Sequence, residues 1–316
     1  MKPVDPVNLY SSVIPAGVGV AIVAPSGYAS DFDALARGLA QLEAQGCRIH
    51  NYYDPTKSYQ RFGGTSDDCV TQLNAAVQNP EVQIVMALRG GYGLSRLLPA
   101  LDLPMMAQSG KLFVGHSDFT TLQMALLAQT GGGSFAGPML CSDFGAEVLS
   151  DFTMQHFWRC LSSDICTIEI SATANPAVNV SGTLWGGNLA ILNHLIGTPY
   201  LPQPKDGILF IEDINEHPYR VERMLLQLLH AGILSKQKAI LLGDFSNYRL
   251  SEYDRGYDFQ EMLAFIRSQL SVPVLTGLPF GHIHDKVTLA VGCRAELMAD
   301  GQTARLVMRN YTTLWH

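Results

Sequence analysis

The chain has 316 residues, of which 47% are hydrophobic and 16% are charged. This composition excludes extended disorder and fibrous or low-complexity architectures, and the length suits about two domains. The 21 basic and 28 acidic residues give a formal net charge of −7, with no run of basic residues. A nucleic-acid-binding protein would carry a basic patch, so nucleic acid is excluded as an expected partner.

The cysteines and the apolar segments bear on the cellular compartment. The six cysteines form no CxxC pair and no zinc-knuckle spacing, so we expect reduced thiols in the core. The apolar stretch Val13–Pro25 is interrupted by Pro15, Gly17 and Gly19. It is too broken for a signal-peptide core and too short to span a bilayer, whereas a buried parallel strand fits it. We therefore expect a soluble cytoplasmic protein with no membrane partner.

Short apolar runs alternate with helical periods through the first half of the chain. Strands are predicted at 19–24, 47–53, 82–88 and 112–115, and helices at 67–77 and 120–129. A further helix, between the first two strands, carries Leu35, Leu39 and Leu42 and ends at Gly46. This alternation predicts an α/β domain with a parallel sheet covered by helices.

The pattern changes near the middle of the chain, where an aromatic helix beginning near Phe152 gives way to a small and polar stretch. We predict an N-terminal domain at 1–160, a linker at 161–182 and a C-terminal domain at 183–316. Strands are expected at 207–213 and 239–244, helices at 218–231 and 259–270, and β-like runs at 287–298 and 304–309. The second domain is therefore predicted to be α+β and rich in strand.

A serine stands where the fourth predicted strand ends. Residues 112–120 read Leu-Phe-Val-Gly-His-Ser-Asp-Phe-Thr, which places Ser117 at the strand tip, just before a helix. Such a strand-to-helix turn exposes the hydroxyl beside unpaired N–H groups, as a nucleophile elbow does. Alternatively, Ser117 or Asp118 is the N-cap of the helix.

A glycine-rich segment, Arg89-Gly90-Gly91-Tyr92-Gly93, follows the third predicted strand. Glycines at the carboxyl end of a strand let the backbone approach a ligand closely, so this loop is a candidate for binding a phosphate or an oxyanion. It lacks the lysine and the spacing of a P-loop, and a plain tight turn explains it equally well. The loop and Ser117 are expected at the same sheet edge, where open α/β folds bind ligands.

Two further segments carry groups that can take part in catalysis. Glu212 and Asp213 end an apolar strand, where a buried carboxylate must be paired; a salt bridge or a helix cap is the alternative. His282 and His284 lie in a glycine-rich turn, where one histidine can act as a general base. An H-x-H pair can also bind a metal, but no further ligand cluster accompanies it, and an ordinary loop histidine is a third possibility.

Ser117, Glu212 and His282 together supply a nucleophile, an orienting carboxylate and a base. A serine is a poor nucleophile until an imidazole accepts its proton, and the imidazole needs an acceptor that fixes its tautomer. The residue types are therefore sufficient for a catalytic triad, although spacing alone does not bring them together.

Several long motifs in the same order make this chain resemble the murein tetrapeptide LD-carboxypeptidases, a family of serine peptidases. The resemblance is carried by residues 24–28 (APSGY), 89–93 (RGGYG), 95–98 (SRLL), 115–120 (GHSDFT), 184–189 (LWGGNL), 212–220 (EDINEHPYR), 281–282 (GH) and 287–289 (VTL). It covers nearly the whole chain.

The resemblance implies that Ser117 is the nucleophile, His282 its base and Glu212 the residue that orients the histidine. It implies an oxyanion hole at the N–H groups of Gly91 and Asp118. It also implies an N-terminal domain resembling class I glutamine amidotransferases, a β-rich second domain, a triad assembled between the two, and a homodimer. The expected reaction removes the terminal D-alanine from murein tetrapeptide during cell-wall recycling in the cytoplasm, with no metal or organic cofactor.

The group that binds the substrate is less well defined. Arg89 and Arg220 are candidates for the D-alanine carboxylate, and each can instead belong to a structural ion pair. Tyr92 and Trp185 are further candidates for contact with the substrate. The chain departs from the family by having Leu289-Ala290-Val291-Gly292 where Leu-Pro-x-Gly is usual, and by having His284 so close to His282.

Three other functions compete with this interpretation. An immunity-type serine peptidase of the same family would cleave peptide–nucleotide antibiotics. An α/β-hydrolase esterase has the same Ser…acid…His order, but its elbow needs a glycine where this chain has Phe119. A non-catalytic module that holds a small anion at the sheet edge is the third.

Overall fold

The computed structural model describes residues 17–171 and 175–315, which form two β-sheets flanked by helices. The strands are β1 (Gly19–Val23), β2 (Arg48–Asn51), β3 (Ile84–Ala87), β4 (Leu112–Gly115), β5 (Ser134–Ala136), β6 (Ile165–Ser171), β7 (Val178–Asn188), β8 (Gly207–Ile214), β9 (Gln237–Ser246), β10 (Val274–Leu275), β11 (Leu289–Val291), β12 (Arg294–Ala299) and β13 (Thr303–Arg309). The α-helices are α1 (Phe32–Ala44), α2 (Ser66–Gln78), α3 (Leu94–Leu97), α4 (Leu103–Gln108), α5 (Thr120–Thr130), α6 (Asp151–Ser162), α7 (Leu189–His194), α8 (Pro218–His230) and α9 (Phe259–Gln269).

The first sheet has the strand order β11-β5-β4-β3-β1-β2, in which β1 to β5 are parallel. The predicted parallel-sheet α/β domain is therefore confirmed. β1, β3 and β4 are buried along their whole length, as expected for continuous apolar runs covered on both faces. The strand order reverses between β1 and β3, and the crevice at the carboxyl ends of two such strands is where doubly wound sheets bind ligands.

The second sheet is mixed, with the order β10-β9-β8-β7-β12-β13-β6. β7 to β10 are parallel, whereas β12, β13 and β6 pair antiparallel. This confirms the predicted β-rich α+β region. The parallel half carries Glu212 near the carboxyl end of β8, so the acid of the predicted triad also lies at a carboxyl edge.

The stretch 161–182, expected as a linker, is instead largely part of the second sheet. β6 pairs with β13 over its whole length, and the first residues of β7 pair with β12. The interpretation was wrong because the stretch was judged by its small and polar residues, whereas Cys166, Ile168 and Ile170 alternate with more exposed positions as a half-buried strand does. Residues 1–16 and 172–174 of the predicted domains lie outside the described residues.

The division at 183 also fails at β11. This three-residue strand follows the His282 loop, yet it pairs antiparallel with β5 and so completes the edge of the first sheet. The chain thus returns from the second sheet to the first immediately after His282.

The remaining expectations about the chain concern thiols and membranes. The six cysteines are free thiols, and all except Cys141 are buried. Within the described ranges, no helix combines the length and the apolar composition that crossing a bilayer requires.

Candidate active site

Ser117 lies at a sharp turn between β4 and α5. Its backbone has φ of +61°, a left-handed conformation that costs a non-glycine residue free energy. A single 3₁₀ turn at Ser117–Phe119 leads into α5, and in this described segment no side chain caps either helical element. The N-cap alternative for Ser117 and Asp118 is therefore not observed. The strained turn has the form of a nucleophile elbow.

Asp118 uses its side chain to hold two loops of the first sheet. Its buried carboxylate oxygen Oδ2 accepts hydrogen bonds from Ser26 Oγ at 2.6 Å and from the N–H of Leu94 at 3.0 Å. Burial raises the pKa of this carboxyl above its ordinary value, against the lowering effect of these hydrogen bonds. The loop after β1 and the start of α3 are thereby fixed to the residue that follows Ser117.

The glycine-rich loop after β3 lies directly against Ser117. A Cβ atom placed on Gly90 would come within 2.7 Å of both Cβ and Oγ of Ser117, and within 3.6 Å of the backbone N of Asp118. Gly91 has φ of +116°, and its neighbour Gly90 accepts a hydrogen bond from the N–H of Gly27. The two N–H groups predicted as an oxyanion hole, those of Gly91 and Asp118, thus belong to adjoining backbone segments beside the hydroxyl.

Glu212 and His282 form a hydrogen-bonded pair. Nδ1 of His282 lies 2.8 Å from Oε2 of Glu212, whose side chain is completely buried. Burial acts to lower the pKa of His282, but the hydrogen bond to Glu212 and its negative charge outweigh burial and raise it. With Nδ1 directed at the carboxylate, Nε2 is the nitrogen left to exchange a proton with a substrate or a nucleophile.

His116 links the Glu212–His282 pair to the turn that carries Ser117. Its ring packs edge-on against His282 with a centroid distance of 5.2 Å, and His116 directly precedes Ser117. Burial lowers the pKa of His116 to about 3, so this imidazole is neutral, and its Nδ1 donates to the carbonyl of Gly137 at 2.9 Å. Sequence reasoning missed His116, although its place between Gly115 and Ser117 in the elbow motif marks it.

Sequence reasoning also missed Asn188, and it named Asp213 beside Glu212 without giving it a role. The side-chain nitrogen of Asn188 contacts Glu212 and Asp213, which lie side by side at the end of β8. Burial and the neighbouring charge of Glu212 raise the pKa of Asp213 to about 6. Asn188 belongs to a motif quoted for the family resemblance, but only the register of β7 against β8 places it opposite Glu212.

The four residues predicted to contact substrate have different environments. Arg89 extends past Gly27, and its Nη1 donates to Tyr28 O at 3.3 Å and to Ser30 Oγ at 3.2 Å. No acidic side chain among the described residues forms an ion pair with it. Tyr92 is 43% exposed and lies near the ring of Phe62. Both side chains therefore remain accessible beside the glycine-rich loop.

Arg220 and Trp185 are engaged elsewhere. Nη1 of Arg220 forms an ion pair with Glu216, four residues earlier in the chain, at 3.6 Å. Nε of Arg220 donates to the Tyr219 hydroxyl. Trp185 is completely buried in β7, with its indole N–H donated to Gln237 at 2.9 Å. The prediction that Trp185 contacts substrate is corrected here, because an aromatic residue on a strand covered on both faces packs into the core.

His284 does not join His282. Its Nδ1 lies 2.8 Å from Asp285 Oδ1 and its Nε2 lies 2.9 Å from the carbonyl of Val148. The two imidazoles therefore have separate partners, and the described residues contain no group of three or more ligands suited to a metal ion.

The sequence belongs to a known peptidase family. Residues 20–137 match the family model described as the LD-carboxypeptidase N-terminal domain, and residues 181–297 match the LD-carboxypeptidase C-terminal domain. A solved structure of muramoyltetrapeptide carboxypeptidase from Oxalobacter formigenes is 52% identical, with a TM-score of 0.90 over 94% of this chain and 100% of that one.

Two curated relatives differ in what their names say. The murein tetrapeptide carboxypeptidase of Pseudomonas aeruginosa is 30% identical over 83% of this chain and 87% of its own length. The microcin C7 self-immunity protein MccF of Escherichia coli is 26% identical over 88% and 89%. Both family domains, the Ser117 elbow and the Glu212–His282 pair lead to one conclusion: this chain belongs to the LD-carboxypeptidase family and is a serine-type carboxypeptidase.

Proposed function

We propose that the protein removes the terminal D-alanine from murein tetrapeptide, cutting after the L-centre of a diamino acid. The observation that carries this proposal is the Glu212–His282 hydrogen bond beside the strained Ser117, in a chain half identical to a muramoyltetrapeptide carboxypeptidase. A paired base and a half-buried serine at a sharp strand-to-helix turn suit acyl transfer from a peptide.

Ser117, His282 and Glu212 act together in this reaction. Oγ of Ser117 attacks the carbonyl carbon of the L-centre while Nε2 of His282 accepts its proton, and Glu212 stabilises the imidazolium. The N–H groups of Gly91 and Asp118 stabilise the oxyanion of the tetrahedral intermediate. His282 then protonates the amine of the departing D-alanine. Water, deprotonated by His282, then attacks the ester left on Ser117. The bond to Ser117 Oγ breaks, His282 returns the proton to Oγ, and the shortened peptide leaves as a carboxylate.

Arg89 is our candidate for binding the D-alanine carboxylate. Within the described part of the chain, its guanidinium donates to uncharged oxygens, and it lies beside the loop that carries Gly91. A carboxypeptidase needs a cation near the leaving amino acid, because the free carboxylate distinguishes a chain end from an internal peptide bond. Arg220 is less suited, since Glu216 already neutralises it.

The family resemblance also supports proposals about the cellular compartment and the oligomeric state. Murein peptides released during cell-wall recycling are present in the cytoplasm, so we propose a cytoplasmic enzyme, acting as a homodimer. Gel filtration with light scattering measures the assembly, and a monomer at working concentration would contradict the dimer.

A digest of defined peptides tests the reaction. Purified protein should release one D-alanine from the free tetrapeptide, detected by mass spectrometry, with little action on the pentapeptide or on an all-L analogue. Ser117→Ala is the control, since loss of the nucleophile in a serine-peptidase triad lowers kcat on the order of 10⁶-fold. Equal cleavage of the all-L peptide would contradict the stereochemical assignment.

An additional substrate separates this function from the immunity-type alternative. Solved structures of MccF hold aminoacyl sulfamoyl nucleosides. Hydrolysis of such a nucleoside conjugate, with no action on the tetrapeptide, would replace the proposed substrate while retaining the same triad.

A further inference from the structure

We propose that Asn188 is a positioning residue for the acid–base pair. Its side-chain amide donates one N–H to Glu212 and the other to Asp213, and so holds Glu212 in the orientation that His282 requires. The inference rests on the triad proposed above and adds a residue that neither touches substrate nor exchanges protons.

The geometry supports a shared donor. Nδ2 of Asn188 lies 3.3 Å from Oε1 of Glu212 and 3.1 Å from Oδ1 of Asp213. An amide nitrogen carries two hydrogens, so it can donate to both carboxylates at once. Oε2, the other carboxylate oxygen of Glu212, contacts His282. Each oxygen of the buried Glu212 side chain therefore has one hydrogen-bond partner among the residues that the structure describes, and the two partners fix the plane of the carboxylate.

The two neighbouring carboxyl groups need such a donor. Glu212 and Asp213 are adjacent, and both are buried, so their charges repel in a poorly solvated environment. Asp213 has further donors, the N–H groups of Ala190 and Ile214, whereas Glu212 Oε1 depends on Asn188. Removing the amide would leave that oxygen buried without this donor, which favours rotation of the Glu212 side chain.

Asn188 is itself held rigidly from both sides. Its Oδ1 accepts the N–H of Ile191 at 3.2 Å and caps α7, and its backbone N–H donates to Thr120 Oγ1 at 3.1 Å. Thr120 begins α5, three residues after Ser117. A Cβ atom on Gly187 would come within 2.5 Å of Thr120 Oγ1, so this close approach requires glycine. One residue thus ties the strand end beside the acid to the helix behind the nucleophile.

The capping role gives the matched variant. Serine is as good an N-cap as asparagine, but its short hydroxyl cannot donate to two carboxylates. Asn188→Ser should therefore keep α7 and the melting temperature, while removing the shared donor. Asn193→Ser is the control, because Asn193 lies on the same helix and, among the residues described, its side chain donates to the carbonyl of Leu189 and to neither carboxylate.

The primary readout is the rate at which a fluorophosphonate probe labels Ser117 in the full-length protein. We expect Asn188→Ser to lower this rate, measured per folded molecule, about 10- to 100-fold, the loss typical of one hydrogen bond to a charged group. On a cleavable peptide, kcat should fall while KM stays within about twofold. Asn193→Ser should label like the wild type.

A second variant and a double mutant keep the test decisive. Asn188→Asp keeps the size and the cap but puts an acceptor between two carboxylates, so it should label more slowly than Asn188→Ser. Because Asn188 acts through Glu212, adding Asn188→Ser to Glu212→Gln should cost little more than Glu212→Gln alone. Wild-type labelling in Asn188→Ser, or full additivity with Glu212→Gln, would overturn the proposal.

Labelling also separates this inference from the proposed substrate. A wild-type protein that is labelled at Ser117 but does not cleave tetrapeptide would contradict the substrate and leave the Asn188 comparison intact. A wild-type protein that is not labelled at Ser117 would overturn both the triad and the positioning role.

Discussion

Ser117 has a strained backbone conformation at the end of β4. A left-handed backbone at a serine costs on the order of 1–3 kcal/mol, and β4, α5 and the glycine-rich loop hold it there. In this conformation the Ser117 side chain caps neither the 3₁₀ turn nor α5 and lies against Gly90. His282 packs edge-on against His116, whose buried imidazole is neutral.

The pKa of His282 gives a prediction about pH. His282 must be neutral to accept the serine proton, so kcat/KM should rise with pH through a pKa above the ordinary value of about 6.5, as Glu212 raises it. Glu212→Gln removes the charge that raises the pKa while burial still lowers it. The acid limb should therefore move to lower pH, with kcat reduced roughly 10⁴-fold. A pH–rate profile measures both effects, and an unmoved acid limb would contradict the pairing.

Arg89 gives a prediction about binding. Arg89→Met should raise KM for the tetrapeptide about 10- to 100-fold, because a charge-assisted hydrogen bond to the substrate carboxylate is lost. Labelling of Ser117 by a fluorophosphonate should be unaffected, since the probe has no carboxylate. Arg220→Met is the matched control, and a larger KM effect in that variant would transfer the assignment to Arg220.

At the scale of elements, three loops at carboxyl strand ends form the site. The loops after β1, β3 and β4 meet at the point where the order of the first sheet reverses, and the end of β8 in the second sheet supplies the acid. Parallel strands have their carboxyl ends at one edge of the sheet, so residues that are distant in sequence lie close together there.

Gly90→Ala tests how closely these loops fit. The added methyl would lie 2.7 Å from Ser117 Oγ and must displace a side chain whose backbone is already strained. We expect kcat to fall about 10²-fold or more, as a shift of the nucleophile near 1 Å can cause. Gly133→Ala, in a loop at the opposite edge of the first sheet, is the control and should retain activity per folded molecule. Normal activity in Gly90→Ala would mean that the loop moves freely.

At the scale of the whole molecule, a buried ion pair fastens the His282 loop to the first sheet. The Lys286 ammonium contacts the Asp143 carboxylate, and both side chains are about 95% or more buried. Burial acts to raise the pKa of Asp143, but the charge of Lys286 outweighs it and lowers the pKa. Lys286 lies between His282 and β11, where the chain re-enters the first sheet.

Lys286→Met should destabilise the protein by about 3–5 kcal/mol, because it leaves a buried carboxylate without its counter-charge. The double variant Asp143→Leu/Lys286→Met should recover much of this loss. Since the folded pKa of Asp143 is depressed, the wild-type pair contributes stability above the ordinary carboxyl pKa of about 3.9 and loses it as pH falls. Urea unfolding at several pH values measures these effects, and equal stability of Lys286→Met and the wild type would contradict them.

The sequence by itself determined the parts whose signals are local. Continuous apolar runs marked β1, β3 and β4, and the glycines marked the loop beside Ser117. The long motifs identified the family and led to the proposed triad. Tertiary structure decided how these parts meet. A three-residue strand such as β11 has no periodicity to detect, and its pairing with β5 depends on distant chain. The contact of Asn188 with Glu212 follows from strand register, and the burial of Trp185 from the layers that cover its sheet, which are properties of the assembled fold.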